Sequence, residues 1–145
     1  MADDDPARKP PAASNGTRVK IETDVDIVTA RQMGRALAAQ MGFGPSVSTV
    51  VSMAISELAR NIVRYATRGE ITFNPVNVNG KSSLEIVARD DGPGIPNVTQ
   101  AMEDGYSTSG GLGMGLPGVK RLMDEFEIVS EVGRGTTVKV RKWKT

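Results

Sequence analysis

Glu57 and Asn61 stand four positions apart in Ala54-Ile55-Ser56-Glu57-Leu58-Ala59-Arg60-Asn61-Ile62, a spacing that puts a carboxylate and an amide on one helix face, beside the apolar stripe rather than within it. An amide oxygen ligates a hard cation such as magnesium, and a carboxylate can orient or deprotonate an attacking hydroxyl or water. Taken alone, the pair is also what an ordinary solvated face looks like, with Arg60 and Arg64 as neighbours, and Glu-x-x-x-Asn recurs by chance in many helices. A second cluster, Asp90-Asp91-Gly92-Pro93-Gly94, directly follows an expected strand. There a carboxylate can accept a hydrogen bond from an exocyclic amino group, while glycines let backbone approach a flat ligand. Asp, Gly and Pro are equally the residues of a polar turn.

A third cluster, Gly111-Leu112-Gly113-Met114-Gly115, leads into an expected helix, where backbone N–H groups and the helix N-terminus can cradle phosphates. The helix dipole contributes only about 0.3–1 kcal/mol per favourable charge. No lysine or arginine lies between Gly105 and Gly118, so neutralising phosphate falls mainly on a bound cation, which raises the importance of Asn61. The fourth, Gly133-Arg134-Gly135-Thr136-Thr137, reads locally as a hairpin turn, with Thr136 or Thr137 placed to reach a base from the start of a strand.

Other chemistries are excluded by residue type. With no cysteine and no histidine among 145 residues, the chain cannot build a Cys/His zinc site, a disulfide, a thiol nucleophile, a Ser-His-Asp triad or a phosphohistidine. Gly113 to Gly118 matches G-x-G-x-x-G formally, but a hydroxyl-rich stretch precedes it where a dinucleotide fold has an apolar strand. There is no G-x-x-x-x-G-K-[ST]. A net charge of +1 and 4% aromatic residues argue against nucleic acid as a partner. No apolar run approaches the roughly 20 residues of a membrane span, and the expectation is a cytoplasmic protein.

The elements that must carry these clusters are readable from periodicity. Residues 1–16 lack a hydrophobic period and are expected to form a flexible tail, leaving 17–145 as one domain. Thr17 to Glu22 alternates as a strand, and Ile27, Ala30, Met33, Leu37 and Met41 recur at helical spacing up to Gly42. Pro45 and Ser46 open a longer helix whose stripe of Val47, Val51, Ala54, Ile55, Leu58 and Ile62 ends near Gly69. A strand begins at Ile71 and Phe73, with Pro75 pushing it to an edge or bulge, and Asn79-Gly80 turns it into Ser83 to Ala88. A short helix around Val98 to Met102 and a helix from Leu116 to Glu125 precede strands at Phe126–Val132 and Thr136–Val140. Hairpins with helices segregated between them predict an α+β, two-layer α/β sandwich.

The four clusters in this order resemble the nucleotide site shared by DNA gyrase, heat-shock chaperone, histidine-kinase and mismatch-repair ATPases, the GHKL superfamily with the Bergerat fold. The similarity covers about residues 17 to 143. Within that superfamily the chain looks most like the RsbT-type serine/threonine switch kinases of bacterial partner-switching systems. The stretches that carry this are Ala54–Ile62, Asp91-Gly92-Pro93-Gly94-Ile95-Pro96, and Met102 to Phe126. Related anti-sigma-factor kinases commonly replace the third glycine with a bulky residue, whereas Gly115 is kept here.

The resemblance implies a mixed, mostly antiparallel sheet with helices on one face, and ATP and Mg2+ as cofactors. It implies Glu57 as the base, Asn61 as the magnesium ligand and Asp90 as the adenine anchor, with Gly92, Gly94, Ile95 and Thr136 on the adenine side. Gly111, Gly113 and Gly115 would hold the phosphates, and Leu112, Met114 and Leu116 would be further nucleotide-binding positions. It further implies phosphoryl transfer to serine or threonine of STAS-domain antagonist or scaffold proteins of a stressosome, and release to bind and activate a protein phosphatase in general stress signalling. Two alternatives from other classes are an anti-sigma factor that sequesters a sigma subunit and a nucleotide-gated docking module with little kinase activity.

Overall fold

The computed structural model describes residues 16–66, 68–103 and 115–144. Strand β1 (Thr17–Ile21) is followed by helices α1 (Asp24–Gln40) and α2 (Pro45–Tyr65), then strands β2 (Gly69–Val78) and β3 (Lys81–Asp90). The short helix α3 (Val98–Ala101), helix α4 (Gly115–Leu122), and strands β4 (Glu125–Glu131) and β5 (Gly135–Trp143) complete the chain. The five strands form one sheet in the order β1-β2-β3-β5-β4, and every pairing is antiparallel. The expected two-layer α+β sandwich is present, without the parallel pairing that a mixed sheet would have among the described residues.

Alternation along the strands decides which sheet face the helices cover. Val19, Ile21, Ile71, Phe73, Leu84, Ile86, Val138 and Val140 are buried, and Val51, Ala54, Ile55, Leu58 and Ile62 of α2 join them in one core. The intervening positions carry charge. Arg141 Nη2 donates to Glu85 Oε2 at 2.9 Å, its guanidinium lies 5.6 Å from the Trp143 ring centroid, and Trp143 Nε1 donates to Glu125 Oε2 at 2.6 Å. An apolar layer on one face and paired charge on the other leave the helices only one side on which to pack.

Several boundaries differ from the sequence reading, each for a local reason. Helix α2 stops at Tyr65 rather than near Gly69, because Gly69 already belongs to β2, opposite Ile21 and Asp90. Strand β3 runs on to Asp90, so the carboxylate of the second cluster ends a strand rather than starting a loop. Pro75 causes no bulge: the β2–β3 register is continuous, and β1 pairing ends at Phe73, so among the described residues no strand pairs with the other edge of β2 where the proline stands. The Asn79-Gly80 turn is as expected, with φ of 54° and 82°, the doubly left-handed geometry of a two-residue hairpin. Helix α4 ends at Leu122, and β4 and β5 each begin one residue earlier than expected.

Candidate nucleotide site

Helix α2 presents Glu57 and Asn61 from its middle. Glu57 is only 3% exposed and falls among the buried residues of the helix, which corrects both the solvated-face alternative and the placement beside the apolar stripe. A carboxylate at such depth requires partners, and among the described residues it has two. Oε1 accepts from Arg60 Nη1 at 2.8 Å, and Oε2 accepts from the Gly115 backbone N–H at 3.2 Å. The second bond joins the middle of α2 to the first residue of α4.

Asp90, the last residue of β3, stands in register with Gly69 on one side and Thr136 on the other. Strand pairing on both sides therefore holds it. Its Oδ1 accepts from the Gly92 N–H at 2.9 Å. Burial pushes its carboxyl above the ordinary aspartate value; the backbone N–H groups of Gly92 and Thr136 oppose that rise, and the Asp91 charge adds to it.

The loop after β3 is pinned from two directions. A Cβ at Gly92 would stand 2.7 Å from Ala66 at the end of α2, and Gly94, at φ +82°, would drive one into the Glu131 carbonyl. Bare backbone here lets the loop close against protein, a reason beyond the approach to a flat ligand read from the sequence. The Gly133 N–H donates to Pro93 O at 2.8 Å, and the Ile95 N–H donates to Ser130 Oγ at 2.7 Å. Ser130 Oγ also lies 2.8 Å from Thr136 Oγ1, so one hydroxyl links the loop to both strands of the β4–β5 hairpin.

These segments enclose a cavity of about 320 Å³, within the usual range for a small-molecule site. Its wall is apolar where Leu58, Ile62, Ala88, Ile95 and Val138 meet, and Glu57, Asn61, Asp90 and Thr136 supply polar groups. Of the expected site residues, Glu57, Asn61, Asp90, Gly94, Ile95, Gly115, Leu116 and Thr136 all line it. Gly92 does not; it serves the loop. Gly111, Leu112, Gly113 and Met114 lie outside the described residues. Sequence reasoning missed Tyr65 and Ala66 of the lining, although Tyr65 continues the four-residue spacing of Glu57 and Asn61, and it missed Ser130, which holds the loop from outside the lining and for which nothing local gives a signal.

For a divalent cation, the described residues gather no cluster of three acidic side chains. The Asn61 amide lines the cavity, while both Glu57 carboxylate oxygens already accept hydrogen bonds. The amide oxygen suits magnesium, which usually takes one or two protein ligands and completes its shell with phosphate and water.

The family described as the histidine kinase-like ATPase domain matches residues 21–142. The chain is 55% identical over 125 residues to the serine/threonine-protein kinase RsbT of Bacillus subtilis (strain 168), covering 86% of this chain and 94% of the relative. It is 31% identical over 122 residues to the anti-sigma F factor of Caldanaerobacter subterraneus subsp. tengcongensis, covering 79% and 82%. Among solved structures, the RsbU and RsbW domains of a Mycobacterium tuberculosis protein superpose with a TM-score of 0.56 at 18% identity, over 89% of this chain and 33% of that longer one. The mycobacterial sensor histidine kinase MprB gives 0.53 at 15%, over 88% and 96%. These last two likenesses support the fold alone. Among the described residues, no helix is long and apolar enough to cross a membrane. The cavity between α2 and the ends of β3 and β5, and the length over which the match to a curated kinase extends, place this chain in the histidine kinase-like ATPase family as an RsbT-type serine/threonine protein kinase.

Proposed function

We propose that this chain transfers the γ-phosphoryl group of magnesium-ATP to a serine or threonine of a STAS-domain antagonist or scaffold protein in a cytoplasmic partner-switching pathway. In its released form it docks on and activates a protein phosphatase. The observation that carries the reading is the meeting of Glu57, Asn61, Asp90 and Thr136, far apart in sequence, around one cavity. Asp90 accepts from the adenine amino group, and Ala88, Ile95 and Val138 cover the ring faces. Gly111, Gly113 and Gly115 hold the phosphates, and Asn61 reaches the cation. When bound, magnesium offsets charge on the β- and γ-phosphates. Glu57 receives the proton of the acceptor hydroxyl, and the rest of the rate arises from positioning and charge stabilisation. The RsbT relative supports this reading over 94% of its own length.

Labelled ATP, magnesium and purified STAS-domain proteins from the same organism provide the test. Phosphate is expected on a STAS serine or threonine, and it should disappear with Asp90→Asn or Glu57→Ala; equal labelling by those variants rejects the assignment. A second reading, sequestration of a sigma factor, draws on the 31% identity to anti-sigma F factors. Retrieval of a sigma subunit in place of a phosphatase would favour it.

A further inference from the structure

We infer that Arg60 is a positioning residue for phosphoryl transfer, acting through Glu57; the inference rests on the reading of Glu57 as the base. Arg60 and Glu57 are three positions apart on α2, with side chains 31% and 4% exposed, and the guanidinium reaches in from the rim to meet Oε1 at 2.8 Å. Among the described residues that line the cavity there is no lysine or arginine, and the Arg60 guanidinium, set at the rim, contacts a polar group of the site directly. Glu57 stands among apolar neighbours of the core, including Ile55 and Leu58. There a carboxylate without an anchor would rotate away.

The two carboxylate oxygens have different kinds of partner. Arg60 belongs to the same helix, so its hold on Oε1 is kept whatever the rest of the site does. The partner of Oε2 is the Gly115 N–H, which ends the Gly111–Gly115 cluster and is the type of donor that phosphates take. Once a phosphate accepts that N–H, Oε2 is released while Oε1 stays fixed, and Oε2 becomes the oxygen that faces the acceptor. The acceptor Oγ–H gives its proton to Oε2 as Oγ bonds to the γ-phosphorus. The bond from that phosphorus to the β,γ-bridging oxygen breaks, and its electron pair leaves with ADP. Arg60 touches neither reactant; it keeps the base from turning.

The test compares wild type, Arg60→Met, Arg60→Lys, Glu57→Gln and the double variant Glu57→Gln/Arg60→Met. Transfer of labelled phosphate from magnesium-ATP to the STAS-domain acceptor is followed as kcat and KM, with thermal melts run beside it. Arg60→Met is expected to lower kcat by about 10- to 100-fold with KM for ATP within about threefold, the pattern of lost orientation rather than lost binding. Arg60→Lys, which can still place one donor on Oε1, recovers most of the rate. In the Glu57→Gln background, adding Arg60→Met changes the residual rate by less than about twofold, because a residue acting through Glu57 has nothing left to act on.

A wild-type kcat for Arg60→Met beside an inactive Glu57→Gln overturns the role of Arg60 and leaves the base in place. A raised KM, or losses that multiply in the double variant, also overturns it, since Arg60 would then act on the nucleotide or the partner. Undiminished transfer by Glu57→Gln removes the base and the inference with it. Should Arg60→Met fail to fold, Arg60→Ala, which also removes the donor to Oε1 and is the strongest helix former, is read in its place against the same criteria.

Discussion

Asp90 is held in a place that costs the folded protein stability. Its carboxyl is raised above the ordinary aspartate value by burial, so the unfolded chain gives up that proton more readily, and the penalty grows as pH rises through the folded-state pKa. Asp90→Asn is therefore expected to melt at or above the wild-type temperature at pH 7. The difference should vanish on acidification below the ordinary aspartate range, where both forms are neutral. Nucleotide affinity should move the other way, falling by about 10- to 100-fold for one lost hydrogen bond to a charged acceptor, as read by calorimetry. A variant that loses both stability and binding would count against a functional reason for this burial. Glu57 shows the same tension by other means, a carboxylate kept deep in the core by one guanidinium and one backbone N–H.

The loops and helix ends are where conformation and contact can be separated. Gly80 and Gly94 both sit at φ +82°, but a Cβ at Gly80 meets nothing within 4 Å, whereas at Gly94 it meets the Glu131 carbonyl. Gly80→Ala carries backbone strain alone and should cost about 1 kcal/mol with nucleotide binding unchanged. Gly94→Ala adds displacement of the β4–β5 hairpin. It should cost about 2–4 kcal/mol and weaken nucleotide binding at least tenfold; equal losses in chemical denaturation would contradict the hairpin contact.

At the start of α1, the Asp26 carboxylate accepts from the N–H groups of Glu22 and Thr23 at 2.8 and 3.0 Å. The Glu22 bond first, then that of Thr23, holds its pKa below the ordinary value. Its contribution is present above the ordinary aspartate pKa and is lost as pH falls through the lowered one. Asp26→Ala should lower stability by about 0.5–1 kcal/mol at pH 7, screened because the site is exposed. Melts of the two proteins should converge toward pH 2.

For the molecule as a whole, the cavity lies where α2, α4, the loop after β3 and the start of β5 meet, so a bound nucleotide touches all of them at once. Magnesium-ATP at 100 times its Kd should add about 2.7 kcal/mol of stability. A chelator should remove much of that gain in wild type and change little in Asn61→Ala, an outcome that a thermal melt reads directly. The elements were legible before the fold was known because their causes are local. Asn79-Gly80 determines a turn by its backbone preference, Pro45 starts a helix, and the stripe from Val47 to Ile62 announces which side of α2 goes inward. The four clusters were legible as well, as residue types capable of particular chemistry.

What neighbouring residues could not decide is depth and partnership. Glu57 looks like a surface carboxylate until the fold buries it and brings the Gly115 N–H of α4 against it. Asp90 looks like a turn residue until β2 and β5 pair on either side of it. Ser130 matters only because the hairpin folds back over the loop that contains Ile95. Sequence by itself determined which groups were available, since residue type and short-range spacing are properties of the chain. Tertiary structure decided which of them lose water and which donors they meet, because desolvation and hydrogen bonding depend on segments far apart in sequence coming together.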